Sequence, residues 1–79
     1  MSASVFLPQS GMGISEATIL KWFKNVGDVV AKDEVIAEIE TAKSVVEVEA
    51  PVAGRLSKIH FAVDETVEVG TEIAIIDEQ

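Results

Sequence analysis

Laid over itself with a shift of 37 positions, the chain repeats. Val26-Gly27-Asp28-Val29-Val30 falls on Val63-Asp64-Glu65-Thr66-Val67, and Ile36-Ala37-Glu38-Ile39-Glu40 falls on Ile73-Ala74-Ile75-Ile76-Asp77. Five of the sixteen positions in Val26–Thr41 are identical, and Asp28 and Glu40 meet acidic partners. Upstream, Ile19 meets Leu56 and Lys21 meets Lys58. The order of turn and strand is kept along with the residues, so the fold has to accept one unit twice. Two like halves facing each other bury both apolar faces at once and leave neither in water.

The unit is made of strands. The chain carries 12 Val and 8 Ile against 3 Leu; side chains branched at Cβ lose rotamer freedom in a helix and fit a pleated surface. No stretch holds a 3.6-residue apolar period over three turns, and the best helical candidate, Glu16 to Lys24, contains Thr18, Ile19, Trp22 and Phe23. Strands are expected at Val5–Leu7, Thr18–Phe23, Val29–Val30, Val35–Glu40, Val45–Glu49, Gly54–Phe61, Glu65–Val67 and Glu72–Ile76. Turn signals separate them at Pro8 to Gly13, Asn25 to Asp28, Lys32-Asp33, Pro51 to Gly54, Asp64 and Val69-Gly70. Alternation is clearest in Ala37-Glu38-Ile39-Glu40 and Val46-Glu47-Val48-Glu49, where carboxylates face water and apolar groups face in. The expected fold is all-β: a flattened eight-stranded barrel or sandwich of two quasi-symmetric four-stranded halves. Residues 1–79 read as a single domain, without linker or low-complexity tract.

Composition removes several functions. With no cysteine there is neither a disulfide nor a thiolate metal site, and the single His60 rules out a multi-histidine site from this chain. Fourteen acidic residues against six basic ones give a net charge of −8. That charge repels phosphate backbones and anionic lipid, so neither nucleic acid nor membrane is an expected partner, and the isolated domain is expected to be monomeric. No apolar run approaches the roughly 20 residues of a membrane helix. Met1-Ser2-Ala3-Ser4 lacks the basic segment and apolar stretch of a signal peptide, so a cytoplasmic address is expected.

The repeat singles out one place. After Val35–Glu40 the first half continues through Thr41-Ala42-Lys43-Ser44 into Val45–Glu49, whereas the matching Ile76-Asp77-Glu78-Gln79 ends the sequence. The first half therefore holds a hairpin whose counterpart is the pair of chain ends. Four residues without Gly, Pro or Asn suit a type I turn with Ala42 and Lys43 at its centre, the lysine pointing outward. By spacing alone Lys43 is one of five lysines and reads as an ordinary surface residue. Its place on a rigid two-strand stalk adds a functional reading, because such a side chain enters a partner's active site without anything unfolding. Acylation would remove its charge and leave a long apolar arm.

Other candidates take ordinary roles. Trp22 and Phe23 read as one core and one partly exposed aromatic. His60, beside Phe61 in a strand, reads as structural, and no catalytic triad can be assembled around it. Gly11, Gly27, Gly54 and Gly70 fit turns better than a phosphate cradle. The carboxylates form a solvated outer face, and Glu38, Glu40, Glu47 and Glu49, beside the hairpin, also suit basic surfaces on partner enzymes, which speeds encounter more than it tightens binding.

Several segments match one family together. Leu7-Pro8-Gln9-Ser10-Gly11-Met12-Gly13-Ile14-Ser15-Glu16-Ala17-Thr18-Ile19 resembles the opening of lipoyl domains from the acyltransferase components of 2-oxo acid dehydrogenase complexes and the related acetoin-cleaving complex. Val26-Gly27-Asp28-Val29-Val30 is similar to the family's Gly-Asp turn, Glu40-Thr41-Ala42-Lys43-Ser44 to its Glu-Thr-Asp-Lys-Ala modification motif, and Ala50-Pro51-Val52-Ala53-Gly54 to the segment that follows. The resemblance runs from about Val5 to Asp77, and the order and spacing of the motifs carry it.

The resemblance implies that Lys43 carries lipoate through an amide, with Thr41, Ala42 and Ser44 as its motif context, at the tip of a flattened eight-stranded barrel. It also implies a carrier without catalytic activity. The arm would take an acyl group and two electrons at a thiamine diphosphate-dependent dehydrogenase component and pass the acyl group to coenzyme A at an acyltransferase core. Dihydrolipoamide dehydrogenase would reoxidise it, and a lipoate–protein ligase or lipoyl transferase would attach it. Two residues depart from the pattern: Ala42 stands where the family has Asp, and Ser44 where it has Ala. The biotinyl carrier domain shares the fold but flanks its lysine with methionines, and here Met1 and Met12 lie elsewhere. An unmodified β interaction module is the remaining reading. A free-standing carrier and the leading domain of a longer acyltransferase both fit the sequence.

Overall fold

A computed structural model describes residues 1–8 and 14–78. Eight strands follow in chain order: β1 (Ser2–Phe6), β2 (Glu16–Trp22), β3 (Val29–Val30), β4 (Val35–Glu40), β5 (Val45–Glu49), β6 (Gly54–Ile59), β7 (Thr66–Glu68) and β8 (Glu72–Glu78). They pair antiparallel into two four-stranded sheets, ordered β1-β8-β6-β3 and β5-β4-β2-β7. Among the described residues no strand pairs across from one sheet to the other. Of the two expected forms, the fold is therefore the sandwich and not the closed barrel: β1, β3, β5 and β7 remain edges.

The repeat governs this topology, though not as two self-contained halves. The shift carries β2 onto β6, β3 onto β7 and β4 onto β8, while β5 corresponds to β1, so one sheet's strand order becomes the other's. Each half keeps three strands in one sheet and lends its shortest strand to the opposite one: β3 pairs with β6, and β7 with β2. Register repeats as well. Ile19 opposite Ile39 and Trp22 opposite Ala37 recur as Leu56 opposite Ile76 and Ile59 opposite Ala74, and the slip between Ile19 and Lys21 recurs between Leu56 and Lys58. The left-handed turn residues form two repeat-related pairs, Gly27 with Asp64 and Asp33 with Gly70, at φ 98°, 76°, 68° and 83°. Aspartate is among the few non-glycine residues that enter this region readily.

Apolar burial explains why the units face each other. Ile19, Ile36, Ala37 and Ile39 are fully buried, and so are their counterparts Leu56, Ile73, Ala74 and Ile76. Ile36 and Ala37 are neighbours in sequence, yet both point inward; the register slip between Val35 and Ala37 is the bulge that permits it.

Strand ends differ from expectation where main-chain pairing decides them. β1 starts at Ser2, opposite Asp77, because ladder bonds extend through small residues without an apolar pattern. β2 stops before Phe23 and β6 before His60, so His60 lies just past a strand. Gly54, expected both to end a turn and to open a strand, is the first residue of β6. Gln9 to Gly13, part of an expected turn and of the family-like opening, lie outside the described residues.

The hairpin and the chain ends are counterparts, as the repeat requires. The bond from Thr41 N–H to the Ser44 carbonyl, 2.8 Å, recurs as Glu78 N–H to the Met1 carbonyl, 2.8 Å. Thr18 pairs with Glu40 beside the tip, Glu16 with Glu68, and Gly70 N–H donates to the Leu7 carbonyl. β1 therefore runs from the chain ends toward the tip, which puts the two at opposite ends of the sandwich.

Gly54 is fixed by contact. A Cβ there would lie 2.2 Å from the Asp77 carbonyl oxygen and 2.9 Å from Ile76 Cγ2, whereas one at Gly70 meets open space and only an unfavourable φ. Gly54→Ala should cost about 3 kcal/mol through overpacking against backbone. Gly70→Ala should cost only about 1 kcal/mol. Urea denaturation of both variants checks the order.

Candidate functional site

The hairpin is anchored from below. Along β4 and β5, Ala37 faces Val48 and Ile39 faces Val46, and Ala37, Ile39 and Val48 belong to the buried core. β4 is also an inner strand, bonded to β2 on its other side. Motion of the stalk would break the β2–β4 ladder and expose core isoleucine, so the stalk is stiff.

At its end the chain makes a tight bracket. Thr41 is 8% exposed, while Ala42, Lys43 and Ser44 are all exposed. Thr41 Oγ1 donates to the Ser44 carbonyl at 2.9 Å and accepts from the N–H groups of Ser44, at 3.1 Å, and Lys43, at 3.3 Å. One proton and two lone pairs are all that a hydroxyl has, and all are used. Ser44 N–H donates to the Thr41 side chain and not to the Thr41 carbonyl, so the four-residue turn closes through a hydroxyl. A threonine at the first position of the loop offers this closure without glycine. That is the one signal by which sequence reasoning could have found the bracket.

Lys43 projects from the bracket into solvent. The ion pairs among the described residues are Lys24–Glu34, at 3.0 Å, and His60–Glu72, at 3.0 Å. Lys21 lies 5.1 Å from the centre of the Phe23 ring, and Arg55 Nη1 donates to the Gly27 carbonyl. The Lys43 amine has no such partner among the described residues. Lys32 and Lys58 are also exposed. They differ in setting: Lys58 lies within β6, and Lys32 is followed directly by Asp33 and Glu34. Lys43 has only Thr41, Ala42, Ser44 and Val45 within two positions, none charged. The described residues enclose no cavity beside it, so a group attached there extends into water.

The four expected recognition carboxylates come together on the outer face of the second sheet. Glu38 lies directly opposite Glu47, Glu40 opposite Val45 and Glu49 opposite Val35. Lys21, opposite Glu38 on β2, is the basic residue in that row. Like charges placed directly opposite destabilise a strand pair slightly and give this face a negative field near the tip.

The aromatics and His60 take other roles. Trp22 packs on the core and its Nε1–H donates to the Phe61 carbonyl at 3.0 Å, while Phe23 is 42% exposed. His60 belongs to a surface cluster that sequence reasoning missed: Ser4 donates its hydroxyl hydrogen to Glu72, whose other oxygen lies 3.0 Å from His60 Nε2. The cluster laces β1 and the end of β6 to β8 and has no geometry for catalysis.

Known proteins place this architecture. Residues 3–76 match the biotin/lipoyl attachment family, described as "Biotin-requiring enzyme". The chain belongs to that family. Over 78 residues, 99% of its length, it is 44% identical to the dihydrolipoyllysine-residue succinyltransferase component of the 2-oxoglutarate dehydrogenase complex of Rickettsia typhi. Over 76 residues, 96% of its length, it is 45% identical to the dihydrolipoyllysine-residue acetyltransferase component of the pyruvate dehydrogenase complex of Corynebacterium glutamicum. The chain spans 20% of the first protein's length and 11% of the second's. Among solved structures, the lipoyl domain of the 2-oxoglutarate dehydrogenase complex from Azotobacter vinelandii superposes with a TM-score of 0.77 at 32% identity, covering 96% of this chain and 98% of that one. Within the family the chain is of the lipoyl-domain type, a carrier and not a catalyst.

One consequence of the surface cluster can be measured. The Ser4 hydroxyl first, and His60 after it, hold the Glu72 carboxyl below its ordinary value of 4.5, with partial burial opposing them. A carboxyl with a lowered folded-state value adds stability above its unfolded value and loses it as pH falls through the folded one. Stability of Glu72→Gln should therefore fall less steeply than wild type between neutral pH and about pH 3, read from urea midpoints.

Proposed function

We propose that Lys43 carries lipoate through an amide and that residues 1–79 act as one carrier unit serving a 2-oxo acid dehydrogenase complex. The observation that carries the reading is the exposed amine, without a partner among the described residues, at the end of a core-anchored hairpin in a chain of the lipoyl-domain type. Nζ attacks the carboxyl carbon of a lipoyl group activated by a lipoate–protein ligase at the expense of ATP. The amide C–N bond forms, the C–O bond to AMP breaks, and two protons pass from the ammonium to solvent. When bound, lipoate supplies a dithiolane that takes up an acyl group together with two electrons.

The chain's own residues do the presenting. The stalk fixes the origin of the arm, the bracket fixes its direction, and with no cavity enclosed beside it by the described residues the arm is free to reach partner sites. Those partners are a thiamine diphosphate-dependent dehydrogenase component, an acyltransferase core that transfers to coenzyme A, and dihydrolipoamide dehydrogenase. Glu38, Glu40, Glu47 and Glu49 steer the domain to basic surfaces on them. Tethering within a complex holds the arm near each site at about millimolar effective concentration for a short flexible linker. Such a unit works as a monomer, in the cytoplasm. Biotin is disfavoured as the attached group because Ala42 and Ser44, not methionines, flank the lysine.

Intact-mass measurement after incubation with lipoate, ATP and lipoate–protein ligase tests the assignment. A single lipoyl increment is expected on wild type and none on Lys43→Gln, whose other four lysines act as internal controls. A biotin increment with biotin–protein ligase would favour the biotinyl carrier, and no increment with either enzyme would favour an interaction module. Ala42→Asp restores the family's carboxylate and should raise the rate of reductive acylation by a typical 2-oxo acid dehydrogenase component. An unchanged or lower rate would mean that Ala42 suits a different cognate enzyme.

A further inference from the structure

We infer that Thr41 is a positioning residue for Lys43 and that its hydroxyl is what the modifying enzyme depends on to meet the lysine in one orientation. The inference rests on the reading of Lys43 as the lipoate acceptor and adds to it the residue that sets the acceptor's geometry.

The repeat supplies an internal control. At the opposite end of the sandwich, Glu78 N–H to the Met1 carbonyl reproduces the main-chain bond from Thr41 to Ser44. Among the described residues nothing there reproduces the hydroxyl's three bonds. Closing the strand ladder thus needs only the main-chain bond, and among the described residues the side-chain bracket is an addition made at the lysine end. What it adds is order beyond the ladder. It ties the N–H of Lys43 itself and that of Ser44 to the hydroxyl of a nearly buried residue that directly follows β4. No left-handed residue lies in the loop, so no glycine-like kink takes over that task. Without the hydroxyl, both N–H groups, exposed at the tip, would bond to water, and Cα of Lys43 would sample several directions. An enzyme that reads one direction would then find the acceptor in place for a fraction of the time, and its apparent affinity falls by that fraction.

Thr41→Val keeps the branched shape and the burial but removes the hydroxyl; Thr41→Ser keeps the hydroxyl. Ligase initial rates against domain concentration should show kcat/KM lowered about tenfold in Thr41→Val, mostly through KM, and within about twofold of wild type in Thr41→Ser. Amide hydrogen exchange of Lys43 and Ser44 should quicken in Thr41→Val, while amides of β4 and β6 keep their protection. The unchanged β4 and β6 amides separate loss of orientation from loss of fold. Wild-type kcat/KM in a folded Thr41→Val would overturn the inference, as would a Thr41→Ser variant as slow as Thr41→Val, which would assign the effect to the methyl group. Failure of wild type to take lipoate would instead overturn the acceptor reading. The exchange measurement would still show whether the hydroxyl orders the tip.

Discussion

Everything in this molecule depends on one apolar layer that neither sheet can complete alone. Ile36, Ala37 and Ile39 come from one sheet and Ile73, Ala74 and Ile76 from the other, and all are fully buried. A chain this short hides only about 60% of its unfolded surface, so a core of few residues has to be fully dry. Using the same short run twice is an economical solution, because each copy supplies the cover that the other lacks. The strand exchange strengthens it: β3 and β7 each pair with the opposite unit's strand, so neither unit can leave without breaking main-chain bonds as well as apolar contacts.

The presentation of Lys43 follows from that layer. The hairpin is two strands of the core that continue into a loop, with no hinge between buried Ile39 and the tip. Rigidity is therefore inherited from the interior rather than built at the site. The mobile part of the assembly is left to the lysine side chain and whatever it carries. Around it the sequence is uncharged for two residues on either side, while carboxylates gather farther down the stalk. That division keeps the amine clear of ion pairs with its neighbours in sequence and still gives the surrounding face a negative field.

Much of this was legible in the residues. The β-branched bias identified an all-β chain, the shift of 37 positions predicted the twofold relation and the hairpin's pairing with the chain ends, and alternation placed the four carboxylates on one outer face. What was not legible is instructive. The exchange of β3 and β7 leaves no mark in either unit's pattern, since a two- or three-residue strand reads the same whichever sheet it joins. The start of β1 at Ser2 and the laced group of Ser4, Glu72 and His60 depend on contacts between residues far apart in sequence. The expected turn at Thr41 to Ser44 rested on residue tolerance alone, which does not say that the hydroxyl of Thr41, one atom, takes the Ser44 N–H in place of a backbone carbonyl.

The pairing of β1 with β8 has a mechanical side. Met1 and Glu78 sit next to each other at one end of two antiparallel strands. Tension applied between them opens the ladder like a zipper, one rung after another, starting from Ser2 and Asp77. A load borne by Lys43 meets a continuous hairpin and has no free end to peel. The fold is thus soft to a tug on its ends and firm toward whatever grips its tip.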